Sequence, residues 1–136
     1  MSAAIPPRLD VTADQIDQVV HRFYAAVRSH DVLAPIFATH VQDWPAHEEK
    51  IARFWRNAIL HERIYDGNPM QVHLAAQEVQ GLHFPVWLTL FEQTLQLTLP
   101  IASAQAWSEL AHRIGRGLRM GVDDLRHRRT AAPHLR

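Results

Sequence analysis

Asp43-Trp44-Pro45-Ala46-His47-Glu48-Glu49-Lys50-Ile51-Ala52-Arg53-Phe54-Trp55-Arg56-Asn57-Ala58 is the stretch whose reading decides the fold. His47, Ile51, Phe54 and Ala58 recur at i, i+4, i+7 and i+11, the spacing of one helical face. Asp43 stands where an N-cap acceptor belongs. Pro45 falls in the first turn, where its missing N–H has no intrahelical bond to lose. The apolar side of this helix therefore carries an imidazole, and a buried imidazole left without a partner costs roughly 1–3 kcal/mol. His47 needs something to bind.

Working outward, the same period recurs on both sides. Upstream, Thr12-Ala13-Asp14-Gln15 reads as a capping box. The helix behind it sets Ile16, Val19, Val20, Phe23 and Val27 on one stripe, with Tyr24 on its edge, and ends near Ser29-His30. Val32 to Phe37 reads as a short apolar connector that Pro35 keeps from lengthening the helix. Residues 1–11, with Pro6 and Pro7, read as a flexible lead-in.

Downstream, Asp66-Gly67-Asn68-Pro69 is the strongest turn signal in the chain. Met70 to Leu74 then has room for one or two helical turns, and a loop passes through Gln80-Gly81. A helix starting around Phe84-Pro85 displays Trp87, Leu88, Phe91 and Leu95, and Pro100 closes it. The last helix is expected from about Ala104 to Leu125, with Trp107, Leu110, Ile114, Leu118 and Val122 inward. One domain over residues 12–126 follows, with 127–136 as a basic, frayed tail. No period-2 alternation is long enough for a strand, so the fold class is all-α.

Composition narrows the function classes. The chain has 136 residues, 47% of them hydrophobic, which suits one domain around a single core. Fourteen basic residues balance fourteen acidic ones, so no basic footprint argues for nucleic acid. Cysteine is absent, which removes disulfides, thiolate metal sites and thiol nucleophiles together. No apolar run approaches the ~18 residues of a membrane span. Met1 to Arg8 shows no secretory signal, and the default expectation is a cytoplasmic protein.

Ten histidines invite a metal reading, yet the closest pairs are seven residues apart. The paired-histidine helix of zinc hydrolases is thereby excluded. Glu109-Leu110-Ala111-His112 has the Glu-x-x-His form used in di-iron bundles, but those need two copies and further glutamates. Glu48-Glu49 and Asp123-Asp124 are adjacent, face different ways, and read as solvated. His21, His30, His40, His61, His112, His127 and His134 lie beside charges or in loops and read as surface residues. Two histidines stand apart. His47 shares the apolar face described above, and His73 follows the rigid turn among Met70, Val72 and Leu74. One imidazole on a hinge, facing polar groups on an opposite wall, is an arrangement that suits a haem iron.

In combination, the motifs resemble the truncated haemoglobins, most closely the third group of that family. The resemblance rests on Phe23-Tyr24, then Leu33-Ala34-Pro35-Ile36-Phe37, then Trp44-x-x-His47-x-x-Lys50-Ile51-x-x-Phe54-Trp55. It continues through Tyr65-Asp66-Gly67-Asn68-Pro69, His73-Leu74 and His83-Phe84-x-x-Trp87-Leu88-x-Leu90-Phe91. The ordered set spans about residues 15–95. It implies a short globin fold, a two-over-two helical sandwich around haem b (iron protoporphyrin IX).

The resemblance also implies roles. His73 would be the proximal iron ligand, its second ring nitrogen donating to a carbonyl or water. Tyr24, Trp87 and His47 would line the distal side, where a donor slows release of a diatomic ligand. Phe23, Phe37, Ile51, Phe54 and Trp55 would form apolar walls, and Lys50 and His83 would meet the propionates. Leu74-Ala75-Ala76-Gln77 departs from the proline-rich stretch common in relatives, so the proximal loop is expected to differ in shape.

The implied function is binding of O2, CO or NO, with NO or peroxide detoxification as a use. No flavin or nicotinamide motif is present, so turnover would need a separate reductase as partner. The chain would act as a monomer or weak dimer. Two alternatives stay open: a haem-free helical module docking a partner through its basic tail, and a gas or redox sensor with a separate output protein.

Overall fold

The computed structural model describes residues 7–62 and 83–131, with side chains as far as residue 124. Within them the chain is helical: α1 Ala13–Val27, α2 Leu33–His40, α3 Trp44–Leu60, α4 His83–Thr98 and α5 Ile101–Ala131. No strand occurs among the described residues. The turn at Asp66–Pro69, the segment Met70–Leu74 with His73, and the Gln80-Gly81 loop lie outside them.

The helix starts form for local reasons. Thr12 and Gln15 close the predicted capping box: the Gln15 N–H donates to Thr12 Oγ1 at 3.1 Å, and the Thr12 N–H to Gln15 Oε1 at 2.9 Å. Asp43 caps α3, accepting from the Ala46 N–H at 3.1 Å, with proline in the first turn. His61 ends α3 in the left-handed region at φ 61°, and its N–H donates to the Asn57 carbonyl.

Two helix pairs carry the architecture. Helix α1 packs on α3 and α4 on α5, and α1 also packs on α4 to join the pairs. Helix α2 bridges α1 and α4. The α1 stripe is buried at Ile16, Val19, Val20, Phe23, Tyr24 and Val27, as its spacing predicts. Facing it are Ala52, Trp55 and Ile59 of α3 and Leu88, Phe91 and Leu95 of α4, with Trp107 of α5 beneath. Gly115 lets α5 approach α4 closely, because a Cβ there would lie 3.0 Å from Leu88 Cδ1.

Three boundaries differ from expectation. Val32 to Phe37 is not a connector: Leu33 to His40 is helical, with Pro35 in the first turn, where a proline has no bond to break. His30 Nδ1 caps it, accepting from the N–H groups of Val32 at 3.1 Å and Leu33 at 3.2 Å. The end of the lead-in is tied down. The Arg8 N–H donates to the Ile59 carbonyl at 2.7 Å, Ser103 Oγ donates to the Asp10 carbonyl at 2.9 Å, and Val11 is buried. The final helix starts at Ile101 and continues to Ala131, since no proline interrupts it before Pro133.

Candidate functional site

Tyr24 of α1, Phe37 of α2, and Trp44 and His47 of α3 converge on one small aromatic cluster. The Tyr24 and His47 rings meet edge to face, with centroids 4.9 Å apart at 84°. Phe37 lies 5.7 Å from Tyr24 and 6.1 Å from His47, and Trp44 lies 5.9 Å and 6.0 Å from the same two rings. The two polar side chains arrive from different helices, so only the packing of α1 on α3 brings them together.

Their electrostatics suit neutral hydrogen-bond chemistry. Burial, reinforced by the Glu48 carboxylate, pushes the Tyr24 phenol above its ordinary value, so it keeps its proton at any physiological pH. Burial and the Lys50 charge push the His47 imidazole below its ordinary value, against a smaller opposing pull from Glu48. A neutral imidazole offers one donor and one acceptor. His47 Nε2 is buried with no hydrogen-bond partner. A protonated phenol beside an orphaned imidazole nitrogen, walled by aromatic rings, is suited to a small polar ligand in an otherwise dry space.

A second aromatic cluster begins one residue away. Phe23 meets Trp87 at 5.4 Å and Phe91 at 5.0 Å, both edge-on. Phe91 stacks on Trp87 at 5.1 Å and 7° and on Trp55 at 5.5 Å and 13°, and Trp55 meets Trp107 edge-on at 5.4 Å. Phe23 and Tyr24 join the clusters at 4.9 Å.

Comparison with known proteins bears on these features. A sequence model of the bacterial-like globin family matches residues 11–115. This range includes Tyr24, Phe37, Trp44 and His47 and every ring of the second cluster. The chain belongs to the bacterial-like globins. It is similar to a group 3 truncated hemoglobin of Campylobacter jejuni, at 33% identity over 91 residues covering 64% of this chain and 72% of that protein. The crystal structure of the group III truncated hemoglobin from Campylobacter jejuni superposes with a TM-score of 0.78 at 28% identity, over 82% of this chain and 91% of the other. The globin family is one of haem-based gas binding, and the all-α short globin fold expected from the motifs is the fold found.

Within this globin, the residues expected to serve the site are distributed unevenly. Tyr24, His47 and Phe37 are together in the first cluster. Phe23 and Trp87 lie in the stack next to it, with Trp87 only half-buried. Trp55 is fully inside the stack against Phe91 and Trp107. Ile51 and Phe54 are half-buried on the core side of α3, Lys50 is exposed on α3, and His83 opens α4 half-buried. His73 lies outside the described residues.

Two residues of the site went unassigned in the sequence. Trp44 joins the Tyr24–His47 cluster, and its signal was the i, i+3 spacing from His47 on one helix face. Glu48 was expected in solvent with Glu49. Instead its side chain is 14% exposed, with Oε1 2.9 Å from His21 Nδ1 and Oε2 3.5 Å from an Arg28 guanidinium nitrogen. Glu49 is exposed as expected. The difference is geometric, because Glu48 faces α1 and Glu49 does not.

Proposed function

We propose that this globin binds haem b through His73 and holds O2, CO or NO beside Tyr24 and His47, with Trp87 as the adjoining wall. When bound, the haem would supply an iron centre able to take a diatomic gas. The observation that carries the reading is the pair of buried polar groups, Tyr24 and the partnerless His47 Nε2, in one aromatic cluster of a chain that belongs to the globins.

Each side chain has a task in this reading. The Tyr24 phenol, kept protonated by burial, donates its O–H to the ligand. One good donor of this kind is worth about 1 kcal/mol or more in a dry setting. His47, kept neutral, presents Nε2 as a second donor or as an acceptor for a proton from the ligand side. Phe37 and Trp44 exclude water, which strengthens both interactions. Phe23, Ile51, Phe54 and Trp55 give the pocket region its apolar body, and Lys50 and His83 are the proposed propionate contacts. Electron supply for NO or peroxide detoxification falls to a separate reductase, and the chain works as a monomer or weak dimer in the cytoplasm. Among the described residues no helix is long and apolar enough to cross a membrane.

Titration with one equivalent of haemin tests the reading, with spectra in ferric, ferrous and ferrous-CO forms beside His73→Ala. A sharp Soret band that moves with CO in the wild type, and weakens or changes character in the variant, is expected. Haemin that keeps its broad free spectrum with both proteins would contradict it and favour the haem-free helical module.

A further inference from the structure

The Trp44 ring is held from outside the aromatic cluster as well as from within it. At the C-cap of α1, Arg28 stands four residues after Tyr24, and on α3, His47 and Glu48 stand three and four residues after Trp44. Helical spacing therefore places Arg28 on the Tyr24 side of α1 and Glu48 beside the Trp44–His47 side of α3. The Arg28 guanidinium carbon sits over the Trp44 ring, 4.8 Å from its centroid. Glu48 holds that guanidinium through Oε2 at 3.5 Å, while Oε1 is 2.9 Å from His21 Nδ1. The carboxylate is largely shielded from water, so its grip on Arg28 is screened less than a surface ion pair would be. Trp44, half-buried like Phe37 and His47, touches Tyr24, Phe37 and His47, and its ring also carries the Arg28 guanidinium.

We propose that Trp44 is a positioning residue, clasped over the Tyr24–His47 pocket by the Arg28–Glu48 ion pair, and that this clasp slows the approach of the diatomic ligand. The proposal rests on the gas-binding reading above. Arg28 and Glu48 act through Trp44 and touch neither ligand nor haem. The contact is a cation held over the ring face by a carboxylate, so Arg28 and Glu48 act together.

The test uses the full haem-loaded chain and reads CO association after flash photolysis, together with 19F spectra of fluorotryptophan-labelled protein and the melting temperature. Arg28→Ala should raise the CO association rate about two- to fivefold, the range that loss of an exposed cation–π contact allows. It should move the Trp44 resonance, identified by its loss in Trp44→Leu, with little change in melting temperature. Arg28→Lys, which retains the charge, should stay nearer the wild type. Trp44→Leu should show the same acceleration, and Arg28→Ala should add nothing to it.

A wild-type association rate in Arg28→Ala, or its full effect persisting in the Trp44→Leu background, would overturn the clasp. Failure of the underlying reading looks different. Tyr24→Phe and His47→Leu would then leave CO and O2 kinetics unchanged, and the clasp would fall with it.

Discussion

Phe23 and Tyr24 are neighbours in sequence and their rings touch, yet they belong to two regions with different chemistry. The Phe23–Trp87–Phe91–Trp55–Trp107 stack packs ring on ring by edge and face contacts and leaves Trp107 Nε1 buried without a partner. Trp107, Phe23 and Phe91 are almost completely inaccessible to solvent. The Tyr24–Phe37–Trp44–His47 cluster is also aromatic, but it holds two titratable side chains, a phenol and an imidazole whose Nε2 has no partner, and it is less tightly buried. Aromatic content alone says nothing of role. An unsatisfied nitrogen occurs in both clusters, so what separates the site from the core is that Tyr24 and His47 set a phenol and an imidazole side by side.

Stability measurements can break that comparison. Trp107→Ala should lower the unfolding free energy by about 3–5 kcal/mol in a urea titration, the usual cost of emptying a buried aromatic position. Tyr24→Phe should change it by no more than about 1 kcal/mol, since only a hydroxyl is removed. If the Tyr24 variant costs as much as the Trp107 variant, the first cluster is core like the second and the distinction fails.

Smaller effects sharpen the picture. Ser103→Ala removes the bond that ties Asp10 to α5 and should cost about 1 kcal/mol, measured as a shift in urea midpoint at constant m-value. His47 titrates below its ordinary value in the folded chain. As pH falls below about 6.5, the unfolded chain takes up that proton before the folded one does. Stability should therefore drop on acidification toward the folded value and then level off. Relative to the wild type, His47→Gln should show a shallower loss between about pH 7 and pH 5, and parallel profiles would remove His47 from its buried, neutral state.

Much of this was legible because the helices are strongly periodic. The α1 stripe, the Thr12–Gln15 capping box and the Asp43 cap were all readable as spacing, and they are found as read. What was hidden depends on neighbours far away in the chain. Arg8 and Asp10 look like part of a loose lead-in until Ile59 and Ser103 supply their partners. Pro35 reads as a stop unless His30 is recognised as the cap that lets a helix begin just before it. Glu48 and Glu49 are identical in composition and differ only in which one meets α1.

The site shows the same division. Tyr24 and His47 were singled out from a stripe and a motif, and the packing of α1 on α3 puts their rings together. Trp44 was quoted in the motif without a role, because a tryptophan at a helix start reads as packing until a cation is seen over it.

O2 dissociation by stopped flow tests the central claim most directly, on haem-loaded wild type, Tyr24→Phe and Phe91→Leu. If ligand chemistry belongs to the Tyr24–His47 cluster, Tyr24→Phe should release O2 about tenfold faster, for a lost hydrogen bond of about 1.4 kcal/mol, while Phe91→Leu stays within about twofold of wild type. An unchanged rate in Tyr24→Phe, or an equal acceleration in Phe91→Leu, would contradict the account.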